Sequence, residues 1–115
     1  MTVAQVETVT AALAGTRGAI VSVFAGRIAD TGRDPIPIMT SALAITSAQR
    51  NVSLLWASPR EILNVRQADS LGVHIITVTH DLLKKLVLLG RDLEAFSLET
   101  VRMFHNDAVT AGYLL

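Results

Sequence analysis

The chain has 115 residues, half of them apolar and 17% charged, which is enough for one domain with a modest core and excludes a disordered chain. Ten basic and ten acidic residues cancel, so the charge favours neither nucleic acid nor an anionic membrane as a partner. Cysteine is absent, no metal-ligand spacing occurs, and no apolar run approaches the roughly 18 residues that span a bilayer. We therefore expect a soluble cytoplasmic protein with no disulfide, metal or cofactor. The mean hydropathy of +0.45 is high for such a domain and predicts apolar surface covered by another copy or a missing segment.

The first predicted elements are a helix, a strand and a second helix. The sequence "TVAQ" at residues 2–5 is typical of a capping box, and Gly15 ends the helix that it begins. The apolar, β-branched run from Ala19 to Phe24 predicts a strand buried on both faces, as in a parallel sheet. An Asp-Pro pair at residues 34–35 then predicts the N-cap and first position of a helix that extends to about Thr46.

Two more strands, each with a helix behind it, and a last helix complete the chain. The second strand is predicted from Val52 to Ala57, and Ser58 is the candidate N-cap of the following helix, with a capping box completed three residues later. The third strand is predicted from Val73 to Val78, with a helix from about His80. The last helix is predicted to begin near Ser97.

The order of elements is a helix, three βα units and a final helix. Strands that alternate with helices favour an α/β fold with parallel pairing. No linker, low-complexity stretch or repeat divides the chain, so residues 1–115 are predicted to form a single domain.

Polar side chains follow each predicted strand. In a parallel sheet the carboxyl ends of the strands share one edge, where ligands bind. Two arginines, several hydroxyls and a helix N-terminus at one edge are groups that bind phosphate well. We therefore expect this edge to bind a phosphorylated small molecule. The residues at the strand ends are Ser22, Phe24, Arg27 and Asp30 for the first strand, Ser58 and Arg60 for the second, and Thr77, Thr79 and His80 for the third.

Each of the main candidates also has a structural alternative. Ser58 can be no more than a helix cap, and Arg60 can be a solvated surface residue. Arg27 follows a buried strand and a glycine, and it can form a structural salt bridge with Asp30 or Asp34. The sequence does not decide between these alternatives.

Two stretches resemble a known family. "SVFAGRIADTG" at residues 22–32 closely resembles the S-P-F-V-G-R-I-D-D-x-G signature of transaldolases. "LLWASPREILNVRQADSLGVHIITVTHDLLKKL" at residues 54–86 resembles the next two βα units of that family. The resemblance extends from about Met1 to Leu89, and more loosely to the end. The A-S-P-R-E motif and the long final helix resemble a bacterial subgroup of transaldolase-like proteins.

The resemblance implies the C-terminal portion of a TIM (β/α)8 barrel from carbohydrate metabolism of the pentose phosphate type. In that family a lysine forms a Schiff base and transfers a dihydroxyacetone unit from a ketose phosphate to an aldehyde. The resemblance implies that Arg27, Ser58 and Arg60 bind the substrate phosphate, and that Ser22 and Phe24 line the pocket. Phe24 stands where the fructose-6-phosphate aldolase branch has a proton-transferring tyrosine, which favours the transaldolase branch.

Four positions depart from the family's pattern, and they leave the substrate preference open: Val23, Ala25, Ala29 and Pro59.

The chain is also shorter than the barrel, which needs about 250 residues. The lysines are Lys84 and Lys85, both predicted on the outer helix after the third strand, whereas a Schiff-base lysine needs a desolvated pocket. We therefore expect no catalytic residue here, but the phosphate-binding half of a site, completed by a complementary barrel half or a homo-oligomer. Whether the chain alone is an enzyme stays open. The alternative is a non-catalytic sugar-phosphate-binding or interaction remnant of a truncated barrel.

Overall fold

The computed structural model describes residues 1–114, and in it helices and strands alternate along the chain. The three strands are parallel and lie in the order β1-β2-β3. The α/β class and the parallel pairing predicted from the sequence are therefore confirmed. The elements are α1 (Val3–Ala12), β1 (Ala19–Val23), α2 (Ala25–Asp30), α3 (Ile36–Ser47), β2 (Val52–Trp56), α4 (Ile62–Leu71), β3 (Ile75–Ile76), α5 (His80–Lys84), a 3-10 turn (Lys85–Leu88) and α6 (Leu93–Thr110).

Helices cover one face of the sheet and leave the other face open. Val23 pairs with Trp56 in the register of β1 and β2, and both side chains are buried in the core. The neighbouring position Ile20 is 57% exposed, and Ser22 is exposed as well. The prediction that the first strand is buried on both faces is therefore wrong for this chain, because the packed helices lie on one side only.

The predicted start of the first helix is confirmed. Thr2 is the N-cap of α1, its hydroxyl accepts from the Gln5 N–H at 3.3 Å, and the Gln5 side chain accepts from the Thr2 N–H at 3.0 Å. At α3 the Asp34 carboxylate accepts from the Ile36 N–H at 2.9 Å, as a capping residue would, although Pro35 occupies the N-cap position.

The predicted start of α4 is wrong. The helix begins at Ile62, and its N-cap is Glu61, which forms a capping box with Asn64. The Asn64 carbonyl oxygen accepts from the N–H groups of both Arg60 and Glu61, at 2.8 and 3.0 Å. These two hydrogen bonds hold the chain before Ile62 in a non-helical conformation. The helix α4 therefore begins three residues later than predicted.

Two other elements differ from the prediction. The short helix α2 was missed because six residues are too few to show helical periodicity in a sequence. The last helix begins at Leu93, before the predicted Ser97, because the Asp92 carboxylate accepts from the Ala95 N–H at 2.8 Å and caps an additional turn.

The third strand is shorter than predicted, and a histidine extends its pairing with β2. Only Ile75 and Ile76 are in strand conformation. The Nδ1 atom of His74 accepts from the Leu54 N–H at 3.0 Å and so takes the place of a backbone acceptor at this end of β3. His74 is itself an exposed residue, although its ring makes this hydrogen bond to β2.

The last helix projects away from the sheet. The described chain measures 67 × 25 × 21 Å, with a radius of gyration of 19.4 Å. A compact chain of this length has a radius of gyration of about 13 Å. The 18-residue helix α6 contains no buried residue, and the elongation follows from its position outside the core. Within residues 1–114, no helix has both the length and the apolar character that crossing a bilayer requires.

Candidate functional site

The carboxyl ends of β1 and β2 are joined by a very close backbone contact. Gly26, in the first turn of α2, donates its N–H to the Ala57 carbonyl oxygen at 3.2 Å. A Cβ atom at Gly26 would lie 1.5 Å from the Ser58 carbonyl oxygen, so no residue with a side chain fits here. Arg27 and Ser58, on the two sides of this contact, consequently lie at the same edge of the sheet.

Ser58 has a strained backbone. Its φ is 59°, and among residues 1–114 it is the one non-glycine residue with a positive φ. Such conformations cost about 1–3 kcal/mol and cluster at functional sites. Because α4 begins at Ile62 and is capped by Glu61, the alternative that Ser58 is only a helix cap is wrong.

Arg60 forms an ion pair across the two strand ends. Its Nη2 atom lies 2.8 Å from Asp30 Oδ2, and its Nε atom donates to Asp30 Oδ1 at 3.4 Å. The hydrogen bond from Arg60 holds the pKa of the Asp30 carboxyl below its usual value, and the positive charge of Arg27 acts in the same direction. The same hydrogen bond raises the pKa of the Arg60 guanidinium. Both side chains are about half exposed, so Arg60 is a paired residue at the surface rather than a freely solvated one.

Arg27 does not form the structural salt bridge that its position suggested. Asp30 is paired with Arg60, and the Asp34 carboxylate accepts from the Ile36 N–H. Arg27 is exposed, and within the described residues its guanidinium has no salt-bridge partner. It lies close enough to Asp30 to lower the pKa of that carboxyl. Its charge is therefore available to a ligand at this edge.

The helix N–H groups at this edge are less available than the sequence suggested. The Gly26 N–H donates to the Ala57 carbonyl oxygen, and the Asn64 N–H in the first turn of α4 donates to the Glu61 carbonyl oxygen at 3.0 Å. The Thr79 side chain caps α5. The Thr79 hydroxyl accepts from the Leu82 N–H at 3.2 Å. An anion here would depend on side chains more than on helix termini.

The two predicted pocket-lining residues lie at the carboxyl end of β1. Ser22 is exposed on the open face of β1, opposite Leu55 in the register. Phe24 directly precedes α2 and is 48% exposed. Thr77, at the end of β3, continues the edge and donates its N–H to the Trp56 carbonyl oxygen at 3.2 Å.

The described residues contain no cluster of three His, Asp or Glu side chains that could hold a metal ion.

Sequence reasoning did not find the role of Gly26 or the pairing of Asp30 with Arg60. The available signal was a glycine between an apolar strand and an arginine, which indicates close backbone approach. The ion pair joins residues 30 positions apart, so no local sequence pattern predicts it.

The described chain is an α/β unit with an open, three-stranded parallel sheet, and arginine and serine residues lie at the carboxyl ends of its strands. A family model described as transaldolase/fructose-6-phosphate aldolase matches residues 1–114. The chain therefore belongs to this family, and the resemblance carried by residues 22–32 is confirmed. Its three-stranded sheet is part of a TIM barrel, and membership indicates a role in sugar-phosphate metabolism.

Proposed function

We propose that Arg27, Ser58 and Arg60 bind the phosphate group of a sugar phosphate, and that the chain supplies the phosphate-binding part of a transaldolase-type site. The observation that carries the proposal is the contact between Gly26 and the Ser58 carbonyl oxygen, which no other residue type at position 26 permits. A contact this close, next to a strained serine, is a costly way to connect two strands unless the connection positions side chains.

Each of the three side chains has a distinct part in the proposed site. Arg27 offers a planar, permanently charged fork that matches two phosphate oxygens. Arg60 is held in place by Asp30, so a phosphate dianion would share or take over the hydrogen bonds that the carboxylate now accepts. The Ser58 hydroxyl would supply a further donor at the same strand ends.

The carbon skeleton of the sugar would lie over the open face of the sheet. Ser22 offers a hydroxyl on this face, and the exposed ring of Phe24 offers an apolar wall. Phenylalanine has no hydroxyl with which to move a proton. This favours the dihydroxyacetone transfer of the transaldolase branch over the chemistry of the fructose-6-phosphate aldolase branch.

The Schiff-base lysine of the reaction would come from outside these residues. Lys84 ends α5 and Lys85 begins the following turn, and both are exposed. A nucleophilic lysine needs desolvation or a neighbouring cation that lowers its pKa, and exposure provides no desolvation. We infer that the lysine belongs to a complementary barrel half, which would also cover the open face that Ile20 now exposes to solvent.

Titration of the chain with a ketose phosphate tests the binding proposal. Arg27→Ala is expected to weaken binding about 10- to 100-fold, the value of a charge-assisted hydrogen-bonding partner. Arg17→Ala is the matched control: it precedes β1, at the opposite edge of the sheet, and should leave the affinity unchanged. Calorimetry with fructose 6-phosphate and with unphosphorylated fructose measures both effects. Equal affinity for the two ligands, or equal effects of the two variants, would remove the proposal.

Borohydride reduction in the presence of the same ketose phosphate distinguishes catalysis from binding alone. The isolated chain is expected to keep its mass, because neither exposed lysine is placed to form a stable Schiff base. Addition of a family segment that carries the missing strands should produce one adduct, located on that segment. Binding without an adduct in either sample would favour the second candidate, a sugar-phosphate-binding protein without chemistry. An adduct on Lys84 or Lys85 would contradict the proposed division of the site.

A further inference from the structure

Arg60 is restrained at both ends, by one side chain from α2 and one from α4. Its backbone N–H donates to Asn64 Oδ1 at 2.8 Å. Its guanidinium donates to the Asp30 carboxylate through Nη2 at 2.8 Å and through Nε at 3.4 Å. Asn64 is itself oriented by Gln67, whose Oε1 atom accepts from Asn64 Nδ2 at 3.1 Å. Contacts within the chain therefore fix both the main chain and the charged group of this arginine.

The pairing with Asp30 uses one side of the Arg60 guanidinium and leaves the other side free. An arginine has five N–H donors, and Asp30 accepts from one on Nε and one on Nη2. The donors that remain are two on Nη1 and one on Nη2. This end of the group can bind two oxygens of a phosphate. The carboxylate can therefore stay in place when a phosphate binds.

The other charges near the pair do not duplicate the role of Asp30. Glu61 and Arg27 are both exposed, and within residues 1–114 neither forms a salt bridge. The hydrogen bond from Arg60 lowers the pKa of Asp30, so the carboxylate is ionised at neutral pH. Asp30 therefore restrains one of the two arginines while it adds a negative charge beside a proposed anion site.

We propose that Asp30 is a positioning residue of the phosphate site: it stays paired with Arg60 in the complex and presents the Nη1 end of the guanidinium to the ligand. This inference rests on the proposed sugar-phosphate function. A long side chain that is already restrained loses less conformational freedom when it binds a ligand. A negative charge without this role would only weaken the binding of an anion. The two effects of Asp30 have opposite signs, and an experiment can separate them.

Asp30→Asn is the variant that separates them, because asparagine keeps the shape and removes the charge and one acceptor. It is expected to weaken the binding of fructose 6-phosphate about three- to tenfold, because Arg60 is no longer restrained. Asp69→Asn is the matched control: this exposed residue lies near the far end of α4, and its loss of charge should leave the affinity unchanged. Calorimetry at constant ionic strength measures both, and circular dichroism checks folding. Unchanged or tighter binding by Asp30→Asn would overturn the proposal.

A double-mutant cycle tests whether Asp30 acts through Arg60. Arg60→Ala alone is expected to weaken binding about 10- to 100-fold. Asp30→Asn should cause no further weakening when Arg60 is already alanine. A second loss as large as the one measured with Arg60 present would contradict the positioning role and leave the phosphate site intact. If neither Arg60→Ala nor Arg27→Ala changed the affinity, the phosphate site would fail, and the positioning role with it.

The restraint on Arg60 can also be measured by nuclear magnetic resonance without a ligand. The Nε–H of Arg60 should exchange with water more slowly than the Nε–H of Arg27, because Arg60 is paired and Arg27 is exposed without a salt bridge in the described chain. Asp30→Asn should remove this difference, and Asp69→Asn should preserve it. Equal exchange of the two arginines in the native chain would overturn the proposal, whatever the phosphate affinities.

Discussion

Replacing Gly26 with alanine is expected to cost at least about 3 kcal/mol of unfolding free energy, enough to unfold most of a small domain. The added Cβ would lie 1.5 Å from the Ser58 carbonyl oxygen and 2.5 Å from its carbon, both backbone atoms that no rotamer change can move aside. The two strand ends would have to separate, which breaks the hydrogen bond from Gly26 to Ala57. Urea denaturation followed by circular dichroism measures the change.

Gly18→Ala provides the control for that experiment. Gly18 has no heavy atom within 4 Å of an added Cβ and no positive φ, so alanine there should change stability by about 0.5 kcal/mol or less. If the two alanine variants were equally stable, the strand ends would not be in contact. The proposed phosphate site would then lose the feature that brings Arg27 to Ser58.

Much of the fold is legible in the sequence because its signals are local. The capping box at Thr2 and the apolar runs of β1 and β2 each depend on residues within a few positions of one another. The starts of α4 and α6 were predicted wrongly because another nearby side chain caps each helix. Asn64 accepts two N–H groups and moves the start of α4 beyond Ser58, and Asp92 adds a turn to α6.

The residues of the candidate site were found from strand ends, but their relations were not. The rule that parallel strands share a carboxyl edge is sufficient to bring Arg27, Ser58 and Arg60 together. This rule does not predict that Asp30 pairs with Arg60 instead of Arg27, because side-chain geometry decides which of the two arginines the carboxylate binds. The positive φ of Ser58 is likewise invisible, because it results from the closeness of two strands and not from the residue's own preference.

The exposed face of the sheet shows a different limit of the sequence pattern. The run from Ala19 to Phe24 is apolar enough for burial on both faces, and the family's closed barrel would provide that burial. Here Ile20 is exposed because three strands do not enclose an interior. The apolar run has the composition of a strand buried on both faces, whereas in the described chain it is buried on one face.

Replacing Trp56 with alanine is expected to cost about 3–5 kcal/mol, the usual range for emptying a large aromatic site in a core. Trp56 has no exposed surface and pairs with Val23 and Ile76 across the sheet.

Trp56→Phe is the control, and it should cost only about 1 kcal/mol. The indole N–H has no hydrogen-bond partner within the described residues, so the substitution removes no hydrogen bond. Circular dichroism is the suitable probe, since Trp56 is the only tryptophan and fluorescence would disappear with it. The phenylalanine variant should also keep its affinity for a ketose phosphate, because Trp56 is fully buried and is not one of the proposed ligand-binding residues. If the alanine and phenylalanine variants lost equal stability, the volume of the side chain at position 56 would not be what stabilises the core.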